Sequence, residues 1–397
     1  MSAPVQLPST YRKLVVTQLT PDFRKATEIV TTSFEAELQE RQALEKAKEQ
    51  RGSDAGAATA WLTVKVAYVG INASDVNFAS GRYFRNAKTP FGCGFEAIGE
   101  VVAVSAGADA ARAPSVGAVV TFMQYGAFAE YVDVPAALCT VLPELKPEYL
   151  VLTLSGLTAA VALGEVGDLE EPESLRAARA KEAGQPVAAD EAPRPTTRRR
   201  KAALVTAAAG GTGHVAVQLL KHYYHFDTVI GTCSSEDKAA YLRSIGCDVA
   251  INYKTEDLDA RLTEVAPSGL DLVYEGVGGQ TFNTATAHLA QHGRLIIIGS
   301  VTSYQHGDQV EWAHPQGVPL SSLLLRLSAS LQGFFLPNHR ASSPAYMARL
   351  LRLVQAGTLR LAVDQHCLKE LKGLEQVVDG VEYLFTSKSA GKVVVPL

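Results

Sequence analysis

One segment determines how this chain folds: Lys201-Ala-Ala-Leu-Val-Thr-Ala-Ala-Ala-Gly-Gly-Thr-Gly-His-Val-Ala-Val-Gln-Leu-Leu-Lys221. It reads as a buried strand, a turn that holds Gly210, Gly211, Thr212 and Gly213, and a helix with apolar side chains on one face. Such a unit cradles the pyrophosphate of a dinucleotide, because glycine lets the backbone approach and the helix start offers free N–H groups. Ala208 stands where the motif has its first glycine, so the prediction depends on what surrounds the turn.

The residues after the turn indicate which dinucleotide is bound. A second strand pattern, Thr228–Cys233, ends about 20 residues after the turn, where NAD enzymes place an acid for the ribose 2′-hydroxyl. Here Ser234 and Ser235 occupy that position, with Lys238 one helical turn later. Hydroxyls and an ammonium suit a 2′-phosphate, so the sequence favours NADP(H). The alternative is that Ser234 and Asp237 form a capping box and Lys238 is solvated, although a capped helix start can also bind an anion.

Length and composition limit the classes of protein that fit. A chain of 397 residues suits two domains, and 47% hydrophobic with 20% charged residues is ordinary for a globular protein. The net charge of -4 gives no general attraction to nucleic acid or anionic membranes. Five scattered cysteines without a C-x-x-C pair predict reduced thiols. With no apolar signal core, no apolar run of membrane-spanning length and no C-terminal Ser-Lys-Leu, we expect a cytoplasmic protein without a membrane span.

The order of patterns along the chain predicts two architectures. Strand patterns punctuated by glycine predict a compact barrel in the first part, at 13–17, 61–69, 97–104, 118–122 and 127–132. From Leu154 strands and helices alternate, which predicts a doubly wound parallel sheet with later strands at 270–275 and 294–298. The tail holds a helix pattern, 346–356, and a final strand pattern, 392–395.

Two segments interrupt this plan. Residues 34–51 are dense in Glu, Gln, Lys and Ala and predict an exposed helix or a mobile loop. Residues 170–201 hold few large apolar side chains and predict a disordered insertion. Because this insertion enters before a strand, whereas ligands bind beyond the carboxyl ends of strands, we expect it far from the chemistry. Its basic run, 198–201, lacks aromatic residues and is interpreted as a solvated linker rather than a nucleic-acid patch.

Ordered motifs cover nearly all of the chain outside these interruptions: Lys13-Leu-Val-Val-Thr, Asn72-Ala-Ser-Asp-Val-Asn77, Gly81-Arg-Tyr83, Gly94-Phe-Glu-Ala-Ile-Gly-Glu100, Lys146-Pro-Glu-Tyr-Leu150, Ser155-Gly156, the glycine turn, Gly231-Thr-Cys-Ser-Ser235, Ile251-Asn-Tyr-Lys-Thr-Glu256 and Gln332-Gly-Phe-Phe-Leu336. On these motifs the chain resembles the medium-chain dehydrogenase/reductase family, in particular its prostaglandin reductase type. The resemblance implies an α/β protein with a GroES-like barrel domain, 1–153 and 331–397, and an NADP-binding Rossmann domain, 154–330. It implies NADPH-dependent reduction of the double bond in enones such as 15-oxo-prostaglandins, and it leaves open a homodimer and a peroxisomal location.

One motif bears on metal binding. Zinc members of the family carry a His ligand in Gly-His-Glu, and the corresponding stretch here is Gly94-Phe95-Glu96, whose phenylalanine cannot bind zinc. The four-cysteine lobe of such members is also missing from the sequence. We therefore expect a zinc-independent enzyme, with Glu96 hydrogen-bonded inside the barrel.

Enone reduction without a metal needs a hydride, polarisation of the carbonyl and a proton for the α-carbon, and NADPH supplies the hydride. Tyr83 is the candidate acid, because the stretch 72–83 is similar to one in 2-enoyl thioester reductases whose closing tyrosine assists protonation, and a phenol stays neutral at pH 7. Asn72 is the second candidate catalytic residue. The alternatives are a tyrosine that only packs the wall of the substrate cleft and an Asn72 that, with Asp75, fixes the loop.

Further cofactor contacts follow from the doubly wound topology and match the family position by position. Thr212 lies in the phosphate turn, and Tyr253 closes the third strand, where it can cover the adenine and bind the 2′-phosphate. Residues beyond the fourth and fifth strands, and a wall for the nicotinamide, complete the set: Gly276, Val277, Ile298, Gly299, Ser300, Tyr304, Phe334, Phe335 and Leu336. For the apolar members the alternative is core packing, most readily for Ile298. Ser389 replaces an asparagine that relatives often carry, so a contact there is not expected.

Two other functions fit the same residues. The chain could be a quinone oxidoreductase, with the same fold and cofactor, or a catalytically silent NADP(H)-binding protein with a partner-binding role. NADPH oxidation with an enone but not a quinone separates the first two functions. NADPH binding without turnover would indicate the third.

Overall fold

The computed structural model describes residues 7–39, 60–83, 86–105, 112–169, 201–304 and 317–397. The strands are β1 (Thr10–Val16), β2 (Thr27–Ser33), β3 (Trp61–Gly70), β4 (Phe91–Gly92), β5 (Glu96–Val104), β6 (Val119–Met123), β7 (Tyr131–Pro135), β8 (Cys139–Val141), β9 (Ala202–Val205), β10 (Thr228–Cys233), β11 (Val249–Asn252), β12 (Leu270–Glu275), β13 (Leu289–Ile297), β14 (Ser330–Gly333) and β15 (Val394–Pro396). The α-helices are α1 (Phe23–Ala26), α2 (Ser74–Ala79), α3 (Leu157–Val161), α4 (Gly213–Gln218), α5 (Glu236–Ser244), α6 (Leu258–Val265), α7 (Gly279–Ala287), α8 (Val301–Tyr304), α9 (Leu320–Leu327), α10 (Ser343–Gln355), α11 (Gln365–Glu370) and α12 (Val377–Leu384).

The chain divides into two compact units. The first unit comprises Met1–Leu154, Val363–Thr386 and Val393–Leu397, and the second comprises Ser155–Ala362 and Ser387–Lys392. This division differs from the predicted one after residue 330. Strand β14 belongs to the parallel sheet, and α10 packs closely within the second unit, because a Cβ on Gly164 would overlap the Tyr346 hydroxyl.

The second unit is built on a six-stranded parallel sheet of order β11-β10-β9-β12-β13-β14. This is the strand order of a dinucleotide-binding fold, in which the direction of winding reverses between the first and fourth strands, here β9 and β12. Apolar side chains from both strands and helices form the core beneath it, including Leu204, Ile230, Leu262 and Phe282. The predicted doubly wound sheet is confirmed.

The first unit contains two antiparallel sheets. One has the order β2-β1-β4, and the other has the order β15-β3-β5-β6-β8 with β7 also paired to β3. Four predicted strands correspond to β1, β3, β5 and β6. The fifth, 127–132, is wrong for most of its length, because β7 begins at Tyr131. Instead, Phe128 bridges two neighbours outside regular pairing: its N–H donates to Cys93 O at 2.9 Å, and its carbonyl accepts from Leu14 N at 2.8 Å.

Within the described residues, one helical stretch is long and apolar enough to cross a membrane by length and composition. It is Pro147–Val166, and 78% of its most apolar window is buried inside the molecule. This stretch contains Thr153, Ser155 and Glu165, so it is not the uninterrupted apolar run that the sequence was expected to lack. Its degree of burial is typical of a core helix.

The two interrupting segments fall mostly outside the described residues. Residues 34–39 are helical, and the rest of 34–51 is not described. Of the predicted insertion 170–201, only Lys201 is described.

Candidate functional site

The glycine turn lies at the carboxyl end of β9 and leads into α4. Gly213 is required there, because a Cβ at this position would lie 2.5 Å from Ala207 O and 2.7 Å from Ala208 Cα. At Gly211 a Cβ would meet Ser155 Oγ at 3.1 Å and Lys392 Cδ at 3.2 Å. The turn is therefore packed against its own chain at both of these glycines.

Thr212 does not use its hydroxyl at the start of the helix. Its Oγ1 donates to Ser155 O at 2.9 Å and lies 2.6 Å from the Tyr274 hydroxyl. Tyr274 is buried, which raises the pKa of its phenol. Thr212 thus joins the turn to the neighbouring strand β12, and its contribution to a ligand would come from its backbone.

The fully buried His214 braces the turn. Ala362 N donates to His214 Nε2 at 3.3 Å, so Nδ1 carries the proton and donates to Gly210 O at 2.9 Å. Burial lowers the pKa of His214 to about 4, with the nearby Lys392 charge acting in the same direction, so the ring stays neutral. This role was not predicted from the sequence, although a histidine directly after the glycine turn is a visible signal.

A second cluster lies at the carboxyl end of β10. Ser234 Oγ donates to Ser387 O at 2.9 Å, and Lys238 Nζ donates to the same carbonyl at 2.8 Å and lies 3.2 Å from Ser234 Oγ. The Ser387 carbonyl oxygen is thus held by two donors of the kind that a phosphate oxygen would attract. Ser387 has φ 60°, a left-handed conformation that serine adopts rarely. Nothing in the sequence indicated that Ser387 would lie here.

The predicted capping box at Ser234 and Asp237 is wrong by one residue. Ser235 is the N-cap of α5, and its side chain accepts from Lys238 N. Because capping is done by Ser235, the Ser234 hydroxyl remains in the cluster with Lys238. Tyr253 lies beside the same strand end, since its N–H donates to Cys233 O at 3.1 Å, and its side chain is 47% exposed.

Beyond β12 a buried carboxylate organises the loop at Gly276. Glu275 Oε1 accepts from Val277 N at 2.8 Å and Gly278 N at 3.0 Å, and Thr206 Oγ1 lies 3.4 Å away. Burial raises the pKa of Glu275. Gly276 N donates to Thr206 Oγ1 at 2.9 Å, so the loop is held from both sides. Gly276 was predicted from the sequence to lie here, whereas the role of Glu275 was not.

The residues after β13 and β14 lie at the same edge of the sheet. Ile298 N donates to Glu275 O at 2.8 Å, and Ser300 N donates to the Tyr304 hydroxyl at 3.0 Å. Phe334 follows β14 and stacks on His339, with ring centroids 5.0 Å apart. Phe335 is 39% exposed, whereas Leu336 is buried.

In the first unit Asn72 and Glu96 form a closed pair. Asn72 Nδ2 donates to Glu96 Oε1 at 2.9 Å and to Gly70 O at 3.3 Å, and Glu96 Oε2 accepts from Leu154 N at 2.9 Å. Glu96 is fully buried. Both carboxylate oxygens and the Asn72 amide are engaged in holding the loop, so this arrangement favours a structural role for Asn72.

Tyr83 lies in the loop after α2. Its hydroxyl oxygen is 3.4 Å from Asn77 Nδ2, and the ring is half-buried. Phe95 is buried in an aromatic group, 5.3 Å from Phe78 and 5.6 Å from Tyr125 between ring centroids. Among the residues described by the structure, no three His, Cys, Asp or Glu side chains are grouped so that they could hold a metal ion.

Family models match both units. Residues 58–144 match the alcohol dehydrogenase GroES-like domain, and residues 211–355 match the zinc-binding dehydrogenase model. The chain is 47% identical to a probable quinone oxidoreductase of Leishmania amazonensis, covering 98% of this chain and 99% of that protein. It is 41% identical to prostaglandin reductase-3 of Mus musculus, covering 98% and 90%, respectively.

Solved structures share the fold. A mycobacterial protein complexed with NADPH superposes with a TM-score of 0.71 at 25% identity, covering 98% of this chain and all (100%) of that one. Escherichia coli quinone oxidoreductase complexed with NADPH gives a TM-score of 0.70 at 20% identity, covering 97% and 100%. The chain belongs to the medium-chain dehydrogenase/reductase family, and the resemblance inferred from its motifs is confirmed.

Proposed function

We propose that this protein is a zinc-independent, NADPH-dependent reductase of the carbon–carbon double bond in α,β-unsaturated ketones. The observation that supports this reaction type is the position of Tyr83, whose phenol oxygen faces the Asn77 amide. The described residues of the same unit contain no group of side chains that could hold a metal ion. The similarity to prostaglandin reductase-3 over nearly the whole chain supports lipid-derived enones as the substrate class.

NADP(H) is the cofactor, and Ser234 with Lys238 would hold its 2′-phosphate. The two donors already converge on one oxygen, the carbonyl of Ser387. Tyr253, which is 47% exposed beside this cluster, would cover the adenine and complete the phosphate site. No carboxylate occupies the strand end at Ser234 and Ser235, where one would repel the phosphate.

The residues of the chain have separate tasks in this proposal. NADPH, when bound, supplies a hydride to the β-carbon. Tyr83 donates a hydrogen bond to the oxygen of the enone and then its proton to the α-carbon. Asn72 is not an acid in this scheme, because its amide is engaged by Glu96 and Gly70, and it acts by holding the loop that leads into α2.

The test uses purified protein, a panel of enones and NADPH deuterated at the transferable position. The expected product carries deuterium at the β-carbon and hydrogen from solvent at the α-carbon, as located by mass spectrometry and NMR. Reduction of the carbonyl in place of the double bond would overturn the proposal. So would NADPH binding without turnover on any enone, and this second outcome would indicate a binding protein.

A second candidate function is favoured by one observation, the 47% identity to a probable quinone oxidoreductase over nearly the whole of both chains. A quinone is itself a conjugated enone and could accept the same hydride. The two functions separate by specificity: kcat/KM for the best aliphatic enone is compared with that for a simple benzoquinone. Higher kcat/KM on the quinone would favour this second function.

A further inference from the structure

The loop after α2 folds back onto one buried residue, Asn77, which is 6% exposed. The Asn77 carbonyl accepts from Arg82 N at 3.0 Å and from Ser80 Oγ at 3.1 Å. Its side-chain oxygen Oδ1 accepts from Arg82 Nη1 at 2.9 Å. Asn77 is therefore held through both its main chain and its side chain, and Tyr83 directly follows Arg82 in the chain.

Arg82 determines which end of the Asn77 amide faces Tyr83. A guanidinium only donates hydrogen bonds, so the amide atom in contact with it must be the oxygen. The amide nitrogen then lies toward Tyr83, 3.4 Å from the phenol oxygen, and donates to it. The opposite orientation would place two donors against each other at Arg82. The phenol oxygen is thus an acceptor toward Asn77, and its own hydrogen points elsewhere.

We propose that Arg82 and Asn77 are positioning residues that activate Tyr83, the guanidinium by polarising the amide and the amide by stabilising charge on the phenol oxygen. This rests on the proposed function, in which Tyr83 protonates the enolate. In that step the phenolic O–H bond breaks, its electron pair stays on the oxygen, and the enolate π pair forms the new C–H bond. Water later returns a proton to the phenolate.

The length of the contact agrees with this role. A neutral phenol oxygen is a weak acceptor, and 3.4 Å is long for a hydrogen bond. Hydrogen bonds to a developing oxyanion shorten and strengthen, and catalytic contacts are often long before the substrate binds. A chain of hydrogen bonds that ends in a cation strengthens each member in turn, so Arg82 acts on Tyr83 without touching it.

The decisive variant is Arg82→Gln, because the half-buried Arg82 side chain can change with little risk to the fold. Arg82→Lys keeps the charge. Lys146→Gln, which removes an exposed cation paired with Glu144 in the same unit, is the matched control. We expect Arg82→Gln to lower kcat about tenfold with KM changed less than about twofold, Arg82→Lys to restore part of the loss, and the control to have no effect.

A second measurement does not depend on turnover. With 13C-labelled tyrosine, NMR follows the alkaline titration of the Tyr83 phenol, assigned by comparison with Tyr83→Phe. We expect its midpoint to rise by about half a unit or more in Arg82→Gln and Asn77→Leu, and to stay unchanged in Lys146→Gln. In the Tyr83→Phe background, Arg82→Gln should cause no further loss of activity, because the phenol hydroxyl on which Arg82 acts is absent.

The two hypotheses can fail separately. An unchanged Tyr83 titration in Arg82→Gln overturns the activation of Tyr83, whatever the substrate is. Full additivity of Arg82→Gln and Tyr83→Phe on kcat overturns it as well. A shifted titration together with normal turnover of Tyr83→Phe would leave the coupling of the three residues in place and would reject Tyr83 as the proton donor.

Discussion

Removing the Lys238 ammonium should weaken the preference for NADPH over NADH. Lys238 Nζ is already fixed by Ser387 O at 2.8 Å and by Ser234 Oγ at 3.2 Å, so little side-chain entropy remains to be lost when a phosphate binds. The change proposed is Lys238→Met, which keeps the length of the side chain and deletes the charge.

The magnitude follows from the type of contact. A hydrogen bond to a charged group contributes about 1.5–3 kcal/mol, which corresponds to a loss of roughly 10- to 150-fold in NADPH affinity. Lys238 is half-buried, so solvent screening favours the lower half of that range. NADH has no 2′-phosphate, and its affinity should change by less than about threefold.

The assay is titration of both cofactors by NADPH and NADH fluorescence at two salt concentrations. Lys221→Met is the matched control, because Lys221 lies in the same unit and pairs with Asp248 at 2.8 Å. The salt dependence of NADPH binding should also become weaker in Lys238→Met, since one cationic contact is gone. Equal weakening of both cofactors, or a wild-type protein that prefers NADH, would refute the reasoning.

Three further predictions follow from the site. Tyr83→Phe should lower turnover of the best enone about a hundredfold, by analogy with the loss of an oxyanion donor, and should leave NADPH affinity within about twofold. If the variant keeps wild-type turnover while the chemical step is rate-limiting, Tyr83 is not the acid. Metal analysis of the purified protein should find substoichiometric zinc, and chelators should leave activity intact; one tightly held zinc per chain would refute zinc independence. Burial raises the pKa of Glu275 above its ordinary 4.5, so the folded state holds this proton more tightly than the unfolded state does. The free energy of unfolding in urea should therefore fall for wild type relative to Glu275→Gln as pH rises from 4.5 through the raised pKa. A difference between the two proteins that does not change with pH would contradict this prediction.

The strands of the parallel sheet could be predicted well, and those of the first unit less well. Thr228–Cys233 and Leu270–Glu275 coincide with β10 and β12, because both segments are rich in the apolar and β-branched residues that strands buried on both faces favour. Strand β2, Thr27–Ser33, was missed, since its threonines and half-buried positions give no apolar run. Strand β14 was also missed, because its four residues contain a glutamine and a glycine, and a nicotinamide wall was predicted only for the residues that follow it, 334–336.

The candidate site could be predicted where its residues are close together in the sequence, and not where contacts depend on residues far away along the chain. Consecutive serines at 234 and 235 are equivalent in the sequence, and the backbone decides between them: Ser235 has φ -163° and ψ 161° and caps the helix. Ser234 is left to bond with Ser387, which is 153 residues away along the chain. Asn77 and Arg82 were inside a recognised motif, but their contact depends on a tight loop that composition does not reveal.

The same dependence on distant chain explains why a glycine turn alone is weak support for cofactor binding. Gly210 pairs with Gly391 in a parallel bridge, Gly391 N donates to Ala209 O at 2.8 Å, and Lys392 lies against Gly211. On the other side, His214 connects Gly210 to Ala362, 148 residues from His214. The turn is thus shaped by Ala362, Gly391 and Lys392 as much as by its own glycines. A glycine motif without these partners could form the turn but would not be held in that conformation. The conformational entropy lost on ordering the turn would then reduce the affinity for the cofactor.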